Sequence, residues 1–288
     1  MCSDIPNFKV QKENVCIYND EFSNSRKPIN IVQLNLLKNA GCAGGCKFCG
    51  LSISSEVDRK TTATEKDFQN SFNDARNSNS RLELVFPSVG ANQMEVLGLL
   101  SKMTDVINDN SDIELAVNPG ICTREDFYSQ LAELGVSRYR NNLENSRRLF
   151  KELVPKRSLA QDSKLQSMDL ARAAGLKVDT GWLCGLGENE ADIKDMLELL
   201  NVSNPDSITL NFFDHRESAE DFDYTTPSRQ TGLERITVLR THFPEVEITL
   251  GGAHGLWLGS KAIDIPQING VYVGRFLDHG LREESKKQ

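Results

Sequence analysis

The sequence predicts an α/β fold, a (β/α)8 barrel of the TIM type, formed as a single domain with an N-terminal extension. Three observations predict it. Eight short β-branched or apolar runs recur along the 288 residues. Polar stretches with helical periodicity lie between most of them, the alternation expected of a parallel sheet wrapped by helices. No linker rich in Pro, Gly or Ser divides the chain, so the repeats belong to one unit. The rival arrangement of the same elements is a doubly wound open sheet.

Residues 1–29 read as a preamble that crosses or plugs one end, and 30–288 as the barrel. The first strand is Ile31–Leu37, with a cysteine-bearing loop after it. A long connection from Leu51 to Arg81 carries one helix near Glu65–Ala75. The next strands are Leu82–Phe86, Ile113–Val117, Val136–Tyr139 and Leu176–Leu183. The last three are Ser207–Phe213, Val246–Leu250 and Gly270–Val273. Helices are expected at Glu95–Ile107, Arg124–Leu134, Ser158–Ala174, Ala191–Leu200 and Leu233–His242, each with apolar residues at helical spacing.

Apolar residues make up 39% and charged residues 26%, an ordinary balance for a globular domain with a sizeable core. The net charge of −8 argues against a nucleic-acid partner held by bulk electrostatics. No apolar run approaches membrane-spanning length, and Met1–Lys9 lacks the pattern of a secretory signal. The expectation is a cytoplasmic protein with neither a membrane nor a nucleic-acid partner.

Seven cysteines are present, three of them in GCAGGCKFCG (41–50). Cys42, Cys46 and Cys49 follow the first strand, so their loop lies at the C-terminal mouth where such barrels carry their active sites. A structural zinc site wants a fourth Cys or His close by, and the nearest histidine is His215. Three thiolates on a tight glycine-rich loop suit instead a 4Fe–4S cube that leaves one iron open.

This C-x3-C-x2-C loop, with an aromatic (Phe48) before its last cysteine, resembles the signature of radical S-adenosylmethionine (SAM) enzymes. The resemblance implies that the open iron chelates SAM, which is cleaved to methionine and a 5′-deoxyadenosyl radical. YRNNLENS (139–146) is similar to the Y-N-H-N-L-D-T-S stretch of biotin synthases and the H-N-L-E-T of lipoyl synthases. By that likeness Asn142 and Glu144 contact the ribose and methionine parts of SAM. The residues alone also suit polar positions at a helix start. GWLCGLGE (181–188) resembles the superfamily's adenine-contacting strand, implicating Gly181, Leu183 and Gly185. In VFPSVG (85–90), Ser88 resembles part of the element that binds the amino group, and Arg157 of PKRS stands as a partner for the SAM carboxylate.

The chain also departs from its likenesses. Biotin synthases hold a second cluster on inner-strand cysteines, and the matching places here are Phe86, Ala116 and Asp179. Arg140–Asn141 stands where biotin synthase has Asn-His. Of the four remaining thiols, Cys16, Cys122 and Cys184 are the ones expected to hold a second iron–sulfur cluster of different construction. Asn118, Arg140, Asp214, His215, Arg216, His254 and Arg275 are expected at the mouth as substrate contacts, and GLWLG (255–259) either lines an aliphatic channel or packs a barrel end.

The resemblance implies sulfur insertion into an unactivated C–H bond, closest in character to two-component lipoyl synthases acting on an octanoylated carrier protein. Its implied partners are an electron donor such as ferredoxin or flavodoxin, a sister radical SAM subunit and a lipoyl-carrier protein. The alternatives are a radical mutase or cofactor-maturation enzyme, methylornithine synthase-like or hydrogenase-maturase-like, and a non-catalytic iron–sulfur scaffold.

Overall fold

Charged and apolar residues alternate in RLELV (81–85) and RYR (138–140), giving each strand one apolar and one charged face. Both faces are buried, which is the situation of strands in a parallel sheet covered by helices. The computed structural model shows that sheet closed on itself. It describes residues 29–35, 42, 44–50, 52, 65–77, 80–86, 93–155, 160–215, 222–259 and 261–274.

Eight parallel strands follow one another round a closed barrel in chain order, the eighth pairing with the first. They are β1 (Ile29–Asn35), β2 (Arg81–Val85), β3 (Leu115–Asn118), β4 (Arg138–Arg140), β5 (Lys177–Cys184), β6 (Ser207–Phe212), β7 (Glu247–Leu250) and β8 (Gly270–Gly274). The described helices are α1 (Glu65–Asn77), α2 (Gln93–Lys102), α3 (Thr104–Asp109), α4 (Glu125–Glu133), α5 (Arg147–Leu153), α6 (Gln161–Ala173), α7 (Glu190–Ser203), α8 (Arg229–His242) and α9 (His254–Leu258). Among the described residues no helix is long and apolar enough to cross a membrane.

The apolar strand faces point outward. Leu82, Leu84, Val117, Val178, Leu210 and Ile248 join helix residues such as Phe68, Leu100, Leu131, Met168, Leu199 and Leu239 in one core. Each such side chain contributes about 1.5–3 kcal/mol on burial, so this ring between sheet and helices carries the fold.

The inward face is charged, where barrels of this class are filled mainly by branched apolar residues. Arg81 makes a bidentate pair with Glu247 (2.8 and 3.1 Å) and reaches Glu114 (2.9 Å). Arg138 forks onto Asp179 at 2.5 and 2.8 Å. One layer nearer the mouth, Arg140 donates to Glu83 (3.2 Å), Thr209 (2.7 Å) and the Tyr272 hydroxyl, which in turn donates to Glu83. Groups from β2, β4, β6 and β8 can meet in this way only on the barrel axis.

Two sequence expectations change here, and one left open is decided. The helix expected over Glu95–Ile107 breaks at Met103 into α2 and α3, because the Thr104 hydroxyl back-bonds to Ser101 O and Leu100 O. Arg140 is expected as a substrate contact at the mouth but is 3% exposed and engaged inside the barrel. GLWLG packs a barrel end: in α9, Trp257 lies against Phe212 (5.4 Å between rings) and donates to Phe213 O (3.0 Å).

A candidate active site at the barrel mouth

The segment after β4 cannot run straight into a helix, because Glu144 takes a left-handed backbone (φ 71°) that a non-glycine residue adopts only when its surroundings impose it. Two hydrogen bonds impose it. Glu144 N donates to Gly181 O (3.1 Å), and Leu183 N donates to Glu144 O (2.6 Å), stitching the residue onto β5 opposite Trp182. Asn145 donates to Leu183 O and to Glu188, both at 2.7 Å, while Glu188 accepts from Gly185 N (2.9 and 3.1 Å). Ser146 then caps α5, accepting from Leu149 N (3.2 Å) and donating to Asp192 (2.6 Å). YRNNLENS and GLGE therefore form one brace. With α5 beginning at Arg147, neither Asn142 nor Glu144 is a first-turn helix residue.

Asn142 and Glu144 face a common centre. Asn142 Oδ1 accepts from Arg140 Nε (3.2 Å), and its carbonyl accepts from Lys164 Nζ (2.5 Å). A side chain at Gly181 would run into the Asn142 amide, so the glycine makes its room. Lys164 lies 3.9 Å from Glu144 and over the Phe150 ring. Burial pushes the Glu144 carboxyl up, while Lys164, Arg140 and a hydrogen bond from Asn142 pull it back. Burial likewise lowers Lys164, with Glu144 and Cys46 opposing that.

Above this centre sits the cysteine loop, with Cys42, Cys46 and Cys49 half-buried and none of them in a disulfide. Cys49 N donates to Cys46 O (3.1 Å), Ser52 N to Cys49 O (2.9 Å), and Lys47 N to Leu153 O at the end of α5 (3.0 Å). Gly45 supplies the left-handed turn (φ 66°), its Cα facing Pro155. Phe48 joins Leu149, Leu153, Leu183, Leu186, Phe213 and Phe222 in a small apolar cluster. Burial, then Cys49 and Glu144, push the Cys46 thiol up to about 12, with Lys164 opposing and Cys42 adding a little. The thiols are thus within electrostatic reach of one another and of a buried lysine. Among the described residues no three Cys, His, Asp or Glu side chains are gathered closely enough to hold a metal ion.

Other expected residues are dispersed. Cys122 follows β3, buried beside Ser167 and Tyr128, whose hydroxyls both donate to its carbonyl (2.9 and 2.7 Å). Cys184 lies on the outward face of β5 with Trp182, inside the hydrophobic core. Burial raises both thiols. His254 contacts Gly251 O (2.7 Å), His215 stacks on Tyr224, Asp214 is buried and Asn118 half-buried. Cys16, Ser88, Arg157, Arg216 and Arg275 lie outside the described residues.

Sequence reasoning passed over Lys164, Glu188 and Asn211. Lys164 carried a signal: it shares the inward helical stripe of Gln161, Ser167, Met168 and Ala171, where a lysine has no packing reason to be. Asn211 on β6 has a buried amide nitrogen without a partner, beside Gly181 and Gly251.

The radical SAM superfamily description matches residues 37–200. The chain belongs to that superfamily. Its curated relatives include biotin synthases from Frankia alni, 28% identical over 84% of this chain and 69% of theirs, and from Aliarcobacter butzleri, 26% identical over 90% and 92%. The fold is also that of methylornithine synthase PylB (TM-score 0.71, 18% identity, 88% of this chain and 73% of that one). It matches the FeFe-hydrogenase maturase HydG from Carboxydothermus hydrogenoformans as well (TM-score 0.70, 15% identity). There 86% of this chain spans only 60% of the maturase. The protein is a radical SAM enzyme in the biotin synthase-like branch, and that family implies a 4Fe–4S cluster and SAM.

Proposed function

We propose that this enzyme inserts sulfur into unactivated C–H bonds of an octanoylated carrier protein, in the manner of a lipoyl synthase. The observation that carries the sulfur chemistry is its similarity to biotin synthases along 84–90% of its length. The site suits the cosubstrate. Cys42, Cys46 and Cys49 would hold the 4Fe–4S cluster, a donor set of three thiols that leaves one iron open. Reductive cleavage of SAM to methionine and a 5′-deoxyadenosyl radical is the chemistry a cluster supplies when bound there.

The chain's own residues bind and orient. The Glu144 carboxylate accepts from the SAM ammonium, and Lys164 faces the SAM carboxylate. The Asn142 amide serves the ribose hydroxyls. Gly181, Leu183 and Gly185 present β5 to the adenine, and Phe48 with its apolar cluster excludes water. Ser88 and Arg157 belong to the same proposal as contacts to the amino and carboxylate groups. An electron donor such as ferredoxin or flavodoxin, a sister radical SAM subunit and the carrier protein complete it, in a cytoplasmic setting.

A second reading has its own support. Ala116 and Asp179 stand at inner-strand places that carry cluster cysteines in biotin synthases, and Asp179 is locked to Arg138. Cys184 faces the core, leaving Cys16 and Cys122 to hold an auxiliary cluster. A mutase or cofactor-maturation enzyme needs no such cluster.

The test is anaerobic turnover of an octanoylated carrier peptide with SAM and dithionite, read by mass, alongside iron counting. Sulfur-bearing product with about eight irons per chain supports insertion from a second cluster. 5′-Deoxyadenosine without sulfur transfer, at about four irons, would give the function to the second reading.

A further inference from the structure

Arg140 replaces an asparagine of the biotin synthase stretch, and nothing above gives it a role beyond filling the barrel. Its guanidinium carries only donors. Nη1 meets Glu83 (3.2 Å), Thr209 (2.7 Å) and the Tyr272 hydroxyl, while Nε meets the Asn142 side chain (3.2 Å). The neighbouring Glu144 carboxylate, which Asn142 helps to hold down against burial, only accepts. The donor at Arg140 Nε selects the flip that turns Oδ1 toward it and leaves Nδ2 free to meet an acceptor. Without Arg140, the amide oxygen loses the donor that selects this flip.

We propose that Arg140 is a positioning residue that locks the Asn142 amide for cosubstrate binding, with Glu83 and Tyr272 holding the guanidinium in place. It rests on the reading of Asn142 as a SAM contact. Lysine at this position keeps the charge opposite Glu83 but lacks the rigid planar fork that presents Nη1 to Glu83 and Nε to Asn142 at a fixed spacing. Function and folding are therefore separable here.

The experiment measures SAM affinity by calorimetry, and thermal midpoint, for the anaerobically reconstituted enzyme and for Arg140→Lys, Asn142→Ala and their double variant. Arg140→Lys is expected to bind SAM about tenfold more weakly, the scale of one charge-assisted hydrogen bond. Its midpoint should stay close to the parent's, and kcat should recover at saturating SAM. Because Arg140 acts through Asn142, the double variant should bind no more weakly than Asn142→Ala alone. Tyr272→Phe, which removes one support of the guanidinium, should show a smaller loss of the same kind and stands in if Arg140→Lys fails to fold. Additive losses in the double variant, or an affinity unchanged in both Arg140→Lys and Tyr272→Phe, overturn the proposal while leaving Asn142 a cosubstrate contact. Parent-like affinity in Asn142→Ala overturns both.

Discussion

Gly181 shows how one missing side chain shapes the site. Its backbone lies in an ordinary region, so an added methyl brings no φ strain, yet that methyl would meet the Asn142 amide oxygen and approach Asn211 Nδ2 at 3.1 Å. Side-chain tips can swing away where backbone cannot, so the fold absorbs the change and Asn142 moves. Gly181→Ala should therefore melt within a few degrees of the parent while SAM affinity drops about tenfold, a loss comparable to one hydrogen bond to a charged group. A variant that loses stability and keeps affinity would mean that Asn142 does not face the cosubstrate. At this scale the sequence was legible only where spacing or likeness carried the signal. Asn142 and Glu144 stood out through YRNNLENS, but the left-handed turn that aims Glu144 left no trace, since nothing about a glutamate announces φ of 71°.

The elements themselves were far more legible. All eight strands fall within two residues of the runs that predicted them, because their outward faces are mainly apolar. The inner face was misjudged. Arg140 of RYR is expected at the mouth, and alternation instead carries it, with Arg138 and the charges of RLELV, to the axis, where they pair with oppositely charged neighbours. The short α5 was missed because RRLFKEL has too few turns to show a period. It nonetheless docks the cysteine loop, through Lys47 N on Leu153 O and through the apolar cluster of Phe48 and Leu153. Trimming that support without touching a thiol tests the docking. Leu153→Ala removes a buried side chain worth about 2–5 kcal/mol, and it should hasten iron loss to a chelator while far-ultraviolet circular dichroism stays unchanged. Iron retention equal to the parent's would show that the thiols alone hold the loop.

At the scale of the whole molecule, the barrel is apolar outside its wall and ionic within it, and such a core depends on pH. Buried ion pairs gain little net stability, yet breaking one partner is strongly destabilising. The carboxylates divide by direction. Burial raises Glu83, with Arg140 and Tyr272 opposing. Glu114 moves the other way: burial would raise it, but Lys177, Arg81 and Arg138 together lower it from 4.5 to about 2. Glu247 is lowered as well, the Arg81 fork outweighing its burial. A carboxylate depressed in the folded state contributes stability above its unfolded value and loses it as pH falls through the folded value. Glu114 therefore stabilises the N-terminal end of the barrel strands fully above pH 4.5, and that contribution drains away between 4.5 and about 2. Its partial exposure lets solvent screen some of it. Glu114→Gln removes the titrating group but keeps the shape, so the urea midpoint should be lower than the parent's at neutral pH and fall less steeply across that acid window. Parallel acid slopes for parent and variant would place the acid sensitivity elsewhere, first in Glu247, whose Arg81 fork spans the barrel from β2 to β7.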